Sequence, residues 1–189
     1  MRHTALPLVF AALAWLAIAP GAARADSLPN VYVGIVGGYT GTLDLPDGAA
    51  EPMGPAIGAR AGLTLPTTDV YVGGLFLFHT GESVSIGSMG AEVSSSSFML
   101  GGEAGYELSL GPLVLRPSLG LGLHQVSLDV SGPAAVMADE DSGAFYLSPG
   151  VNAMISLGVL LGAELRYNAI LADDHKDSIS ALATLGLSF

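Results

Sequence analysis

From residue 31 onward, apolar and polar positions alternate with a period of two, in stretches broken by turn-forming residues. Eight such stretches can be marked: Val31–Thr40, Gly54–Leu65, Asp69–Thr80, Ser96–Leu108, Leu113–Leu128, Ala144–Ser156, Val159–Leu171 and Ser178–Phe189. This alternation sends successive side chains to opposite faces of a strand and predicts an all-β chain. The 26 glycines disfavour helix and suit a tightly curved sheet. Connections alternate in length. Pro66-Thr67-Thr68, Ser109–Pro112 and Leu157-Gly158 form tight turns, whereas Gly41–Met53, Gly81–Ser95, Asp129–Gly143 and the shorter Ala172–Asp177 are polar segments.

The faces separate cleanly. On the fourth stretch Phe98, Leu100, Ala104, Tyr106 and Leu108 oppose Met99, Gly101, Glu103, Gly105 and Glu107. The fifth sets Leu113, Leu115, Leu119, Leu121 and Leu123 against Arg116, Ser118, Gly120, Gly122 and His124. On the seventh, Val159, Leu161, Ala163, Leu165 and Tyr167 oppose Gly162, Glu164, Arg166 and Asn168, and on the second Arg60 opposes an aliphatic row. A soluble barrel would turn the aliphatic face inward. The other face, mostly glycine and serine with a few charges, is too sparse for a solvated exterior, so the leucine-rich face is expected to meet lipid.

Composition supports this choice. Charged residues are 12 % of the chain, about half the usual ~25 %, and mean hydropathy is +0.56. Past residue 25 no apolar run approaches the roughly 18 residues of a membrane helix. Only helices and closed barrels satisfy every backbone group in lipid. The expectation is an eight-stranded antiparallel up-and-down transmembrane β-barrel, with short turns at one end and long loops at the other. An even strand number returns both termini to the periplasmic side. Tyr39, Phe78, Phe98, Phe145 and Tyr167 fall near the long-loop end of the lipid face, and Tyr106 and Phe189 near the other, as two interfacial girdles would.

The first residues read differently. Arg2, the apolar run Ala5–Ala19 and the small residues of Ala23-Arg24-Ala25 form the three-part pattern of a secretory signal, with cleavage expected after Ala25. That leaves residues 26–189 as a single barrel domain. Losing Arg2 and Arg24 makes the chain two charges more negative than its formal −11, the opposite of a nucleic-acid binder. With no cysteine there is no disulfide framework or thiolate metal site.

The last strand, Ile179–Phe189 (ISALATLGLSF), alternates to a terminal phenylalanine, and the opening strand reads Val31–Tyr39 (VYVGIVGGY). With the leader and the eight stretches, the chain resembles the small OmpA/OmpX-type outer-membrane barrel family. The resemblance implies residence in the bacterial outer membrane among its lipids and lipopolysaccharide. It also implies recognition of Phe189 by the assembly machinery during biogenesis. OmpA-type proteins continue into a peptidoglycan-binding domain; none follows Phe189 here, so that tethering role is not expected.

Three constellations invite chemistry. Arg60, Arg116 and Arg166 face inward with Glu103, Glu107 and Glu164. Three charges of each sign in a narrow tube read as a neutral ion-pair network that plugs the lumen, because buried charges must be paired. A narrow porin is the alternative. The acidic segments (Asp44, Asp47, Glu51; Glu82, Glu92; Asp129, Asp139, Glu140, Asp141; Asp173, Asp174, Asp177) lack calcium-loop spacing and read as a solvated surface. His79 and His124 near Ser83, Ser95 and Ser127 could serve a lipid A acyl-modifying enzyme, but no nucleophile motif is visible. The expectation is no catalysis, cofactor or metal.

Overall fold

The computed structural model describes residues 30–44, 51–86, 91–131, 140–157, 159–172 and 176–189. The leader with Ala25, and Asp47, Asp139, Asp173 and Asp174 of the acidic segments, lie outside them. The strands are β1 (Asn30–Thr42), β2 (Gly54–Thr64), β3 (Val70–Ile86) and β4 (Ala91–Tyr106, resuming after Glu107 as Leu108–Leu110). They continue as β5 (Leu113–Ser131), β6 (Glu140–Ser156), β7 (Leu160–Ile170) and β8 (Ser178–Ser188). Each pairs antiparallel with its neighbour in sequence, and β1 pairs with β8 from Tyr32↔Ser188 to Thr42↔Ser178. Beyond that ladder Val31 and Phe189 exchange two backbone hydrogen bonds. The sheet therefore closes into an eight-stranded barrel without an edge, which is what a strand-built object needs in lipid.

The outer face is aliphatic and open. Ile35, Ile57, Leu121, Phe145 and Leu165 are each more than half exposed, an area far too large for a protein in water. Tyr39 and Phe78 stand outward near the long-loop end, and Phe76 and Phe98 pack as tilted rings 6.4 Å apart. The polar face turns inward and is covered.

One sequence expectation is corrected here. Much of the supposed loops Gly81–Ser95 and Asp129–Gly143 is strand: β3 runs to Ile86, β4 starts at Ala91, β5 ends at Ser131 and β6 begins at Glu140. Hydrophobic alternation reports lipid on one face. The glycine and serine between the apolar positions resemble loop, yet the backbone ladder persists (Val84↔Val93, Ser94↔Asp129). A β-bulge between Thr80 and Ser83 marks the start of this stretch in β3. The turn after β4 is also tighter than expected, with Gly111 at φ +69° carrying it.

Candidate functional site

The lumen is the site. Period-two alternation brings Arg60 of β2, Glu103 of β4, and Glu164 and Arg166 of β7 to one level, where they close a ring of alternating charge. Arg60 lies 2.7 Å from Glu103 through Nε and 2.5 Å from Glu164 through Nη2. Arg166 Nη2 lies 2.7 Å from Glu103 and 2.5 Å from Glu164, and its Nε donates to Glu164 Oε1 at 2.7 Å. None of the four side chains is more than 2 % exposed. Each charge has two opposite partners, which is the condition under which burial of ions is tolerated.

Glu107 and Arg116 stand apart from this ring. They pair with each other across the β4–β5 turn, Arg116 donating from Nε at 3.1 Å and from Nη2. Glu107 keeps 14 % of its side chain exposed. The Arg116 guanidinium sits 3.7 Å over the Tyr71 ring and 5.4 Å from that of Tyr32, a cation–π arrangement. Tyr71 links the two groups, because its hydroxyl donates to Glu103 Oε1 at 2.9 Å. The six charged residues read from the sequence thus form a closed four and a separate two.

Sequence reasoning missed the tyrosines. Tyr32, Tyr71 and Tyr146 are buried inside the barrel. The signal was present: Val-Tyr-Val-Gly occurs at Val31–Gly34 and again at Val70–Gly73, placing Tyr and Gly on the same face two residues apart. A Cβ on Gly73 would come within 2.2 Å of the Tyr71 hydroxyl, and one on Gly101 within 2.4 Å of that of Tyr146. These inward glycines are the space the rings occupy.

Toward the long-loop end the filling changes character. Ala56 lies beyond Arg60 on β2, Met99 beyond Glu103 on β4 and Ile170 beyond Arg166 on β7. With Val36, Leu75, Leu77, Tyr146 and Leu182 they form one buried apolar cluster. An inner face mostly of glycine, serine and a few charges was expected, with Met99 on it; Val36 of β1 and Leu75 and Leu77 of β3 thicken the layer from positions whose faces had not been sorted. A hydrogen-bonded belt also crosses the wall: Ser148 to Asn168 at 2.7 Å, Asn168 to Ser180 at 2.9 Å, and Thr40 to Ser180 and His79 at 2.9 and 3.1 Å.

Residues 8–189 match the model of the outer membrane protein β-barrel domain family. The chain belongs to that family. Similar solved structures include Neisserial surface protein A (TM-score 0.62, 16 % identity, 85 % of this chain and 97 % of that one). A major outer membrane protein of Thermus thermophilus matches at TM-score 0.65 and 12 % identity, over 86 % of this chain and all of that one. Ail, the attachment invasion locus protein of Yersinia pestis, matches at 0.56 and 12 %, over 85 % and 97 %. Among curated protein sequences nothing matches.

This outer-membrane barrel therefore sits in the bacterial outer membrane among its lipids, with its short turns at the periplasmic side and its long hairpins outward. Its outer rim holds the remaining candidates. His79 is fully buried and its Nε2 is paired with Thr40, not with Ser83, Ser95 or Ser127. His124 is also buried, Ser83 is exposed, and Ser95 donates to the backbone carbonyl of Glu51 at 3.3 Å. Two of the acidic residues that are placed act as pins. Glu51 accepts from the backbone of Thr42 and Met53 and from the Thr42 hydroxyl, and Asp177 accepts from Tyr167 and the backbone of Ile170. Among the described residues no three of His, Asp or Glu gather as a metal site.

Proposed function

We propose that this barrel is a sealed structural or surface-contact element of the outer membrane, its lumen plugged by ion pairs, and not an open pore. The observation that supports this reading best is the closed ring of Arg60, Glu103, Arg166 and Glu164, backed on its outer side by the apolar cluster. Water and ions would have to break four ion pairs and then wet a layer of aliphatic side chains. In a planar lipid bilayer the purified protein is expected to give no steady, large channel; sustained channels would return the narrow porin to first place. The outward extension of β3–β4 and β5–β6 is the surface available for contact, and lipopolysaccharide is its nearest partner. A lipid A acyl-modifying activity is disfavoured, since a buried imidazole bonded to Thr40 has no route to an acyl carbonyl.

Biogenesis adds one partner. Phe189 is 74 % exposed while its backbone is tied to Val31, so the side chain packs little and is free to be read by the assembly machinery. Replacing it by alanine is expected to lower the amount of barrel reaching the outer membrane in cells and to leave refolding in detergent unchanged. Undiminished cellular assembly would remove the assembly-signal role.

A further inference from the structure

The periplasmic half of the lumen holds a group of polar atoms that the protein itself leaves unpaired. Arg116 Nη1 and Asn152 Nδ2 and Oδ1 are buried without a hydrogen-bond partner among the described residues, and Tyr32 Oη and Thr184 Oγ1 are buried close to one another at the same place. The sheet register gathers them. Arg116 and Asn152 are direct cross-strand partners with both side chains buried inside. A Cβ on Gly162 of β7 would lie 3.0 Å from Asn152 Oδ1 and 3.5 Å from Thr184 Cβ, so those two side chains border one point. Tyr32 reaches the same place from β1, its ring rising over Gly34 and Gly186.

Buried polar groups in folded proteins are nearly always satisfied, by protein or by ordered water. The chemistry of this set says which. Arg116 Nη1 and Asn152 Nδ2 only donate, Asn152 Oδ1 only accepts, and the two hydroxyls do either. An anion would leave Oδ1 facing like charge, and a cation would face the guanidinium. Only a ligand that both donates and accepts suits all five atoms. We propose that Arg116, Asn152, Thr184 and Tyr32 bind a structural water cluster on the periplasmic side of the ion-pair ring. This deepens the sealed-barrel reading and rests on it: the water sits on the periplasmic side of the ring, whereas the layer of Leu77, Met99 and Leu182 directly outside the ring offers water no partner.

The test uses the unmodified barrel in a lipid nanodisc. Side-chain NMR is expected to show magnetisation transfer between water and the Asn152 carboxamide protons, and none to the methyl groups of Leu77, Met99 and Leu182. Transfer to none of these groups would overturn the water site while leaving the seal standing. Transfer to all of them would overturn the dry layer, and channels in a bilayer would overturn the sealed reading itself. Asn152→Leu gives an independent sign. If water bridges Asn152, the near-isosteric change strands Arg116 Nη1 and lowers the unfolding midpoint. A raised midpoint means Asn152 had no partner to lose, and the proposal fails.

Discussion

Two ion-pair groups share one lumen, use the same residue types, and are built for different tasks. The ring of Arg60, Glu103, Glu164 and Arg166 joins β2, β4 and β7, strands that do not neighbour one another in the sheet, and gives every charge two opposite partners. The Glu107–Arg116 pair joins two consecutive strands across one short turn, and each charge has a single partner. The ring therefore holds the barrel's cross-section, whereas the pair pins a hairpin that the backbone ladder already holds. Burial sharpens the contrast: side chains of the ring are at most 2 % exposed, but Glu107 is open enough for solvent to screen its charge. Counting charges in a lumen says little; what matters is how many strands each charge ties and how dry it is.

The sharpest way to break this comparison is to cut the ring at its most connected member. Glu103 accepts from Arg60, Arg166 and Tyr71, so Glu103→Ala leaves a net positive charge in a dry tube. Removing one partner of a buried pair costs about 3–5 kcal/mol, and this variant is expected at the upper end. Urea unfolding of the refolded barrel in detergent measures it. A loss under about 1 kcal/mol would mean that water already reaches the ring.

The pair should respond more mildly. Glu107→Ala is expected to cost toward or below the low end of about 3–5 kcal/mol, since Arg116 keeps its place over the Tyr71 ring. Adding Arg116→Ala should recover part of the loss, with a coupling of about 0.5–3 kcal/mol in a double-mutant cycle. Strict additivity would show that the two side chains do not stabilise one another. A loss from Glu107→Ala equal to that from Glu103→Ala would erase the distinction between ring and pin.

How much of this was legible in the sequence follows from what alternation encodes. It reports which face meets lipid, so the eight strands, the closure and the inward direction of all six charges could be read from residues such as Leu121, Leu165, Arg60 and Glu164. It does not report how far inward residues reach across the lumen. That depends on shear and strand tilt, which is why the Glu107–Arg116 pair could be read from the short turn joining its strands but the closing of the other four charges into a ring could not. Glycine and serine crowd the stretch from Gly81 to Ser95, and Glu82–Ile86 and Ala91–Ser95 accordingly looked like loop, although Val84 and Ile86 still alternate with Ser83 and Ser85. The inward tyrosines were hidden by a different habit. Aromatics in such a chain are read as interfacial girdle, and only the repeated Tyr-x-Gly spacing marked Tyr32 and Tyr71 as belonging inside.

Tyr71 offers the finest cut, because it touches both groups. Its hydroxyl donates to Glu103 and its ring face carries Arg116. Tyr71→Phe deletes the first contact and keeps the second, so its effect should fall on the ring alone. A hydrogen bond to a charged group is worth about 1.5–3 kcal/mol; Glu103 retains two guanidinium partners, which places the loss near 1.5 kcal/mol, the smallest expected here. The coupling between Glu107 and Arg116, measured again in the Tyr71→Phe background, should be unchanged within about 0.5 kcal/mol. Tyr71→Leu, which removes the aromatic face as well, should weaken it. If Phe and Leu lower that coupling equally, the hydroxyl transmits between ring and pair. The two groups would then have to be treated as one network of six charges.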